Sequence, residues 1–164
     1  MFKVTGCAPP TIDARLKNYS RYLVKGTCFP GITHNHGGYV YGKLYSEVNQ
    51  KAFKKLDLFE GKIYGRIEVE ILTSSRALMA QTFIILPTYK NRLSNKPWSP
   101  RTFRRKHYEG FIKDITWLEK NIFILTTKSD NQDNNQYLLF LIFFHGHVVF
   151  DENRSNPATI FSSM

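Results

Sequence analysis

The stretch LDLFEGKIYGRIEVEI, Leu56 to Ile71, changes its period within a few residues. Up to Glu60, apolar residues recur at helical spacing. Phe53, Leu56 and either Phe59 or Glu60 share one face of a helix over about residues 50–59, with Asn49 placed to cap it. Gly61 is suited to end that helix in a left-handed conformation. From Ile63 the period becomes two: Ile63, Ile67, Val69 and Ile71 point one way, while Tyr64, Arg66, Glu68 and Glu70 point the other. The stretch therefore predicts a helix, a glycine stop and a half-buried strand. It leaves Glu60 at the helix end, where an acid opposes the helix dipole.

Outward from this core, Leu78–Leu86 (LMAQTFIIL) reads as a second strand, and the intervening TSSR lets the two pair as a hairpin. On the N-terminal side, Tyr22–Cys28 and Tyr39–Tyr45 read as strands, and FPGITHNHGG, Phe29 to Gly38, as a Gly/Pro/Asn-rich loop. Ser99 or Thr102 starts a basic helix, Phe103–Ile112, with Phe103, His107, Phe111 and Ile112 as its core stripe. Residues 128–136 are polar. Tyr137–Phe150 is large and apolar without a clear period, and falls short of the roughly 20 residues a spanning helix needs. Short strands with two helices make an α+β pattern rather than a βαβ series. We divide the chain into a domain at 1–115 and a divergent extension at 116–164.

The 164 residues fit one domain, and 42% hydrophobic and 15% aromatic content can supply its core. The net charge of +10 is uneven: residues 1–115 carry 20 Lys/Arg against 8 Asp/Glu, and residues 116–164 carry 3 against 5. No nucleic-acid-binding motif accompanies this charge, so it reads as a solvated basic surface. A basic nucleic-acid module using Lys90 to Lys113 is the least favoured of the functions weighed. Cys7 and Cys28 are too few for a disulfide scaffold, and MFKVTGCAPP lacks a signal peptide's apolar core; a reduced, cytoplasmic setting is expected. His34-x-His36 and His145-x-His147 have no carboxylate or cysteine to complete a ligand set, so no metal is expected.

Several pieces in order resemble the gamma-glutamylcyclotransferase-like superfamily, including its avirulence-induced group. They are VTGCAPP (Val4–Pro10), ARLKNYSRYLVKGTCFPGIT (Ala14–Thr33), the Val40–Tyr45 strand, LDLFEG with Tyr64-Gly65-Arg66, and SNKPWSPRTFRRKHYEGFI (Ser94–Ile112). The resemblance implies a small mixed, mostly antiparallel β-barrel flanked by helices, with a pocket at one end. It implies release of 5-oxoproline from a gamma-glutamyl amine or amino acid, with Glu60 as the catalytic acid and no cofactor. Pro30 and Gly31 match a segment near the family's pocket. Tyr64 and Arg66 have two readings: pocket-lining and orienting groups, or a surface tyrosine beside an arginine paired with Glu68 or Glu70. The family's first strand, ending in tyrosine-glycine-serine/threonine-leucine, lies before the segment that VTGCAPP matches. An intact scaffold with an incomplete pocket and a binding role is the alternative to an enzyme. An edge left open there would recruit a strand, from the apolar run at 138–144 or across a homodimer.

The chemistry explains why one carboxylate would suffice. The substrate's α-amine attacks its own γ-carbonyl, so nucleophile and electrophile already share a molecule. The reaction needs a base for the α-ammonium proton and an acid for the leaving amine, and an apolar wall would raise a glutamate's pKa toward that task.

Overall fold

The two-residue period after Ile63 becomes strand β3 of the computed structural model, which describes residues 9–113 and 137–141. In chain order these form β1 (Thr11–Val24), β2 (Pro30–Val48), α1 (Gln50–Glu60), β3 (Tyr64–Leu72) and β4 (Ala77–Ile85). A 3-10 turn (Pro87–Arg92), β5 (Leu93–Pro97), α2 (Pro100–Lys106) and β6 (Tyr137–Leu141) follow, and residues 108–113 are also helical. β3 and β4 form the expected hairpin, in register from Tyr64 opposite Ile85 to Leu72 opposite Ala77. Thr73 closes its turn, its amide and hydroxyl both donating to the Arg76 carbonyl at 2.9 and 2.8 Å.

β1 pairs antiparallel with β2 and β3, β2 with β6, and β6 runs parallel to β4. The circuit β1–β2–β6–β4–β3–β1 closes five strands into a mixed, mostly antiparallel barrel, and β5 adds to β1 outside the ring. Closure leaves no open edge in that circuit. The fold class is α+β. Part of the apolar run at 138–144 supplies β6, which enters the sheet between β2 and β4 of its own chain; residues 142–144 lie outside the described residues.

Alternation sorts side chains onto two faces. Ala14, Leu16, Ile32, Val40, Leu44, Val69, Ile71 and Ala80 fill the barrel interior. On the outer face Tyr45, Phe83 and Leu139 pack with Val48 and with Ala52, Phe53 and Leu56 of α1. The helix begins as its sequence predicts, with the Asn49 side chain accepting from the Ala52 amide at 2.9 Å. A third cluster joins Trp98, Phe103 and Phe111 to Leu23, Phe29 and Phe59.

Three local expectations change. Phe29–Gly38 is largely strand rather than loop: from Pro30 it runs along β1, and its Asn and Gly residues serve a bulge. The register jumps from Lys17 opposite Tyr39 to Tyr19 opposite His34, and Asn18, with φ 63°, accepts the Gly37 amide at 3.1 Å. The first strand ends at Val24, so Cys28 sits in the following turn, half-buried. His107 caps the end of α2 and is exposed, leaving Phe103 and Phe111 as the buried part of that stripe.

Leu139 is fully buried in the outer-face core. Leu139→Ala is expected to destabilise the protein by about 2–5 kcal/mol, and removing residues 128–164 to lower the thermal midpoint. Unchanged melting of both variants would show that β6 contributes nothing to the barrel.

Candidate active site

Glu60 lies four residues after Leu56 and seven after Phe53, on the stripe that buries α1 against the barrel. Phe59 turns to the neighbouring cluster with Trp98 and Phe103. The helix thus uses both options that spacing allowed: Phe59 packs to one side, and Glu60 continues the buried stripe. The residue is half-buried there, with part of its surface still accessible. Burial disfavours its charge and pushes its pKa up to about 8.

The chain then reverses at Gly61, with φ 71° and ψ −171°. That region is open essentially to glycine alone. The Gly61 amide donates to the Asp57 carbonyl at 3.3 Å, and its own carbonyl receives the Tyr64 amide at 3.4 Å. This tight return brings Tyr64 back beside Glu60. Burial, and secondly the Glu60 charge, raise the Tyr64 pKa, so its hydroxyl stays a proton donor. It donates to the Pro30 carbonyl at 2.8 Å.

Pro30 and Gly31 open β2, opposite Leu23 and Tyr22 of β1. Gly31 is required by close approach: a Cβ there would lie 2.4 Å from Ile85 Cγ1 and 2.8 Å from Leu93 Cδ2. The turn before it is held by Trp98, whose indole Nε1 donates to the Cys28 carbonyl at 2.8 Å. Tyr64 therefore links the two segments: it lies beside Glu60 at the end of α1 and bonds Pro30 at the start of β2, where Gly31 follows.

Arg66 stands apart from this group. Its Nε and second terminal nitrogen donate to the two Asp57 oxygens at 2.9 and 3.1 Å, and the guanidinium lies 4.5 Å from the Phe53 ring centroid. It fastens α1 to β3, with Asp57 as partner in place of Glu68 or Glu70. Sequence reasoning missed this clamp, as it missed the Trp98 bond. The nine-residue spacing from Asp57 to Arg66 carries no periodic signal, because a glycine reversal lies between them. His34 and His36 are exposed near the β1–β2 bulge. Among the described residues no group of three or more His, Cys, Asp or Glu is arranged to hold a metal, and no helix is long and apolar enough to cross a membrane.

Arg66→Lys keeps the charge and loses the two-pronged geometry. It is expected to destabilise by about 1 kcal/mol, and Arg66→Ala by about 1–2 kcal/mol, since exposure weakens the pair while the ring contact adds to it. Denaturant unfolding measures both; no change in either variant would remove Arg66 from the helix attachment.

Comparison with known proteins identifies the family. The family described as "Gamma-glutamyl cyclotransferase, AIG2-like" matches residues 2–101. Protein AIG2 A of Arabidopsis thaliana is 29% identical over 111 residues, 67% of this chain and 65% of that protein. AIG2-like protein C of the same plant is 31% identical over 111 residues, 63% of this chain and 61% of that one. The chain thus spans just under two thirds of either relative's length. The solution structure of an Arabidopsis thaliana protein shares the fold, with a TM-score of 0.54 at 24% identity, covering 77% of this chain and 76% of the other. The matched span runs from ahead of β1 into α2 and takes in Glu60, Tyr64 and Pro30: the chain belongs to the gamma-glutamyl cyclotransferase, AIG2-like family.

Proposed function

We propose that the protein cyclises a gamma-glutamyl amine or amino acid to 5-oxoproline, with Glu60 as the group that carries the proton. The observation that supports this reading most is the half-buried Glu60 carboxyl, held at the end of an apolar helix stripe and raised by desolvation to about 8. A solvated helix-end glutamate would titrate near 4.3 and would be a weak base at neutral pH.

In the reaction the substrate's α-nitrogen forms a bond to its γ-carbon, and the bond from that carbon to the leaving nitrogen breaks. Starting from the free α-amine, one proton leaves the attacking nitrogen and one arrives at the departing amine, so a single carboxyl can serve both steps. Ionised Glu60 takes the first proton readily, because the neutral acid is the form its surroundings favour. It returns the proton as the carbon–nitrogen bond opens. No water enters the balance, and no serine or cysteine nucleophile is needed. Tyr64, fixed by the Pro30 carbonyl, is a positioned hydroxyl that borders the carboxyl and helps to hold the folded-back substrate. Gly31 leaves β2 flush against its neighbours there. Arg66 contributes through α1, by keeping Glu60 in place.

The test is 5-oxoproline release from a panel of gamma-glutamyl compounds. Glu60→Gln is expected to reduce turnover by about 100- to 10,000-fold. No product from the native protein, or equal product from both, would leave a binding scaffold in place of an enzyme. In the native protein kcat/KM is expected to rise with pH and level off above about 8, as Glu60 ionises. The substrate amine titrates in the same direction, so carboxyl-carbon NMR of Glu60 supplies the site's own midpoint; a value near 4.3 would overturn the proposed role.

Stability follows from the same shift. The folded state binds the Glu60 proton more tightly than the unfolded chain, so the fold loses stability as pH rises from the ordinary glutamate value of 4.5 to about 8. Glu60→Gln removes that loss. Its thermal midpoint is expected to exceed the native one at pH 8, and the difference to vanish near pH 4.5.

A further inference from the structure

The outer wall of β1 and β2 carries a surface that the Glu60 site does not use. Pairing sets Lys17 opposite Tyr39, Arg15 opposite Tyr41 and Asp13 opposite Lys43. The alternate residues Ala14, Leu16, Val40 and Leu44 fill the barrel, so these six face outward. Tyr39 is 47% and Tyr41 65% exposed. Their two-residue separation on one strand sets their Cα atoms about 7 Å apart on the same face. The Arg15 guanidinium lies 5.5 Å from the Tyr39 ring centroid, so charge and flat surface are presented together. Lys17 is exposed beside them, and Lys43 is held by Asp13 at 2.7 Å. Exposed Glu68 and Glu70 on β3 bound the basic patch on the far side of β1.

Two adjacent exposed rings among cations suit a partner that has flat faces and negative charge on one flexible chain. We propose that this face binds single-stranded nucleic acid, with bases stacking on Tyr39 and Tyr41 and phosphates meeting Arg15 and Lys17. The excess of 20 Lys/Arg over 8 Asp/Glu in residues 1–115 adds long-range attraction for a polyanion. A duplex conceals its base faces and offers the rings little; an anionic membrane offers charge without rings. The surface is separate from Glu60, so this binding stands or falls apart from the cyclisation chemistry.

The experiment measures fluorescence anisotropy of a short fluorescein-labelled oligouridine with the full chain across a salt series. Tyr39→Ala and Tyr41→Ala are each expected to weaken binding by about fivefold or more, and phenylalanine at both positions to keep affinity within about twofold, since stacking needs only the ring. Arg15→Gln with Lys17→Gln is expected to reduce the salt slope by about 1.4, at roughly 0.7 per phosphate contact on a single strand. Glu60→Gln should bind as the native chain does. Melting curves confirm folding of each variant, and the phenylalanine pair keeps the stacking test valid if alanine perturbs the wall. Absent binding, native affinity in both alanine variants, equal affinity for a duplex of the same length, or preference for phosphatidylserine vesicles over the oligonucleotide would overturn the proposal.

Discussion

The seating of α1 on the outer face of the barrel depends on Phe53. Its ring is fully buried among Tyr45, Leu56 and Phe83 and lies beneath the Arg66 guanidinium. Burying such a ring is worth about 1.5–3 kcal/mol, and it fixes the helix in rotation as well as position. With Phe53 inward, Leu56 and Glu60 must also turn inward, because they follow at three and seven residues. The acid is therefore carried into an apolar setting by the hydrophobic residues before it on the same helix. Asp57, one residue beyond Leu56, falls at the rim and meets Arg66 there. One apolar contact thus separates two carboxylates of the same helix turn into different surroundings: one is half-buried and raised, the other exposed and ion-paired.

Glycine and proline then do what side chains cannot. Gly61 reverses the chain within a few residues, which brings Tyr64 to Glu60. Gly31 lets the start of β2 lie against Ile85 and Leu93 without a gap. Pro30 adds a carbonyl for the Tyr64 hydroxyl and has no amide of its own to satisfy. The site is therefore held mainly by backbone shape and by one long-range hydrogen bond.

What the sequence revealed and what it hid divide along physical lines. The helix, its Asn49 cap, the Gly61 stop and the β3–β4 hairpin were legible because each signal is local. The Phe29–Gly38 stretch misled because a bulge inside a long strand uses the same Asn and Gly residues as a loop; only pairing with β1 distinguishes them. Whether Glu60 faced core or solvent was open, since residues 59 and 60 are both compatible with a stripe through Leu56. The Tyr64–Pro30 bond spans 34 positions, and the Lys17–Tyr39 and Arg15–Tyr41 pairs span more than 20. Such neighbours form no motif, so the basic charge looked featureless until the strands were placed side by side.

β6 has a consequence for how the molecule is made. The sheet partners Lys43 and Leu141 are separated by most of the chain. During translation β1, β2, α1, β3 and β4 emerge together and can hairpin early, while the last staves of the ring wait for residues 137–141 to leave the ribosome. Until then β2 and β4 each carry an unzipped flank. Such long-range pairing closes slowly, so the newborn chain carries those two flanks unpaired for longer than its hairpins take to form.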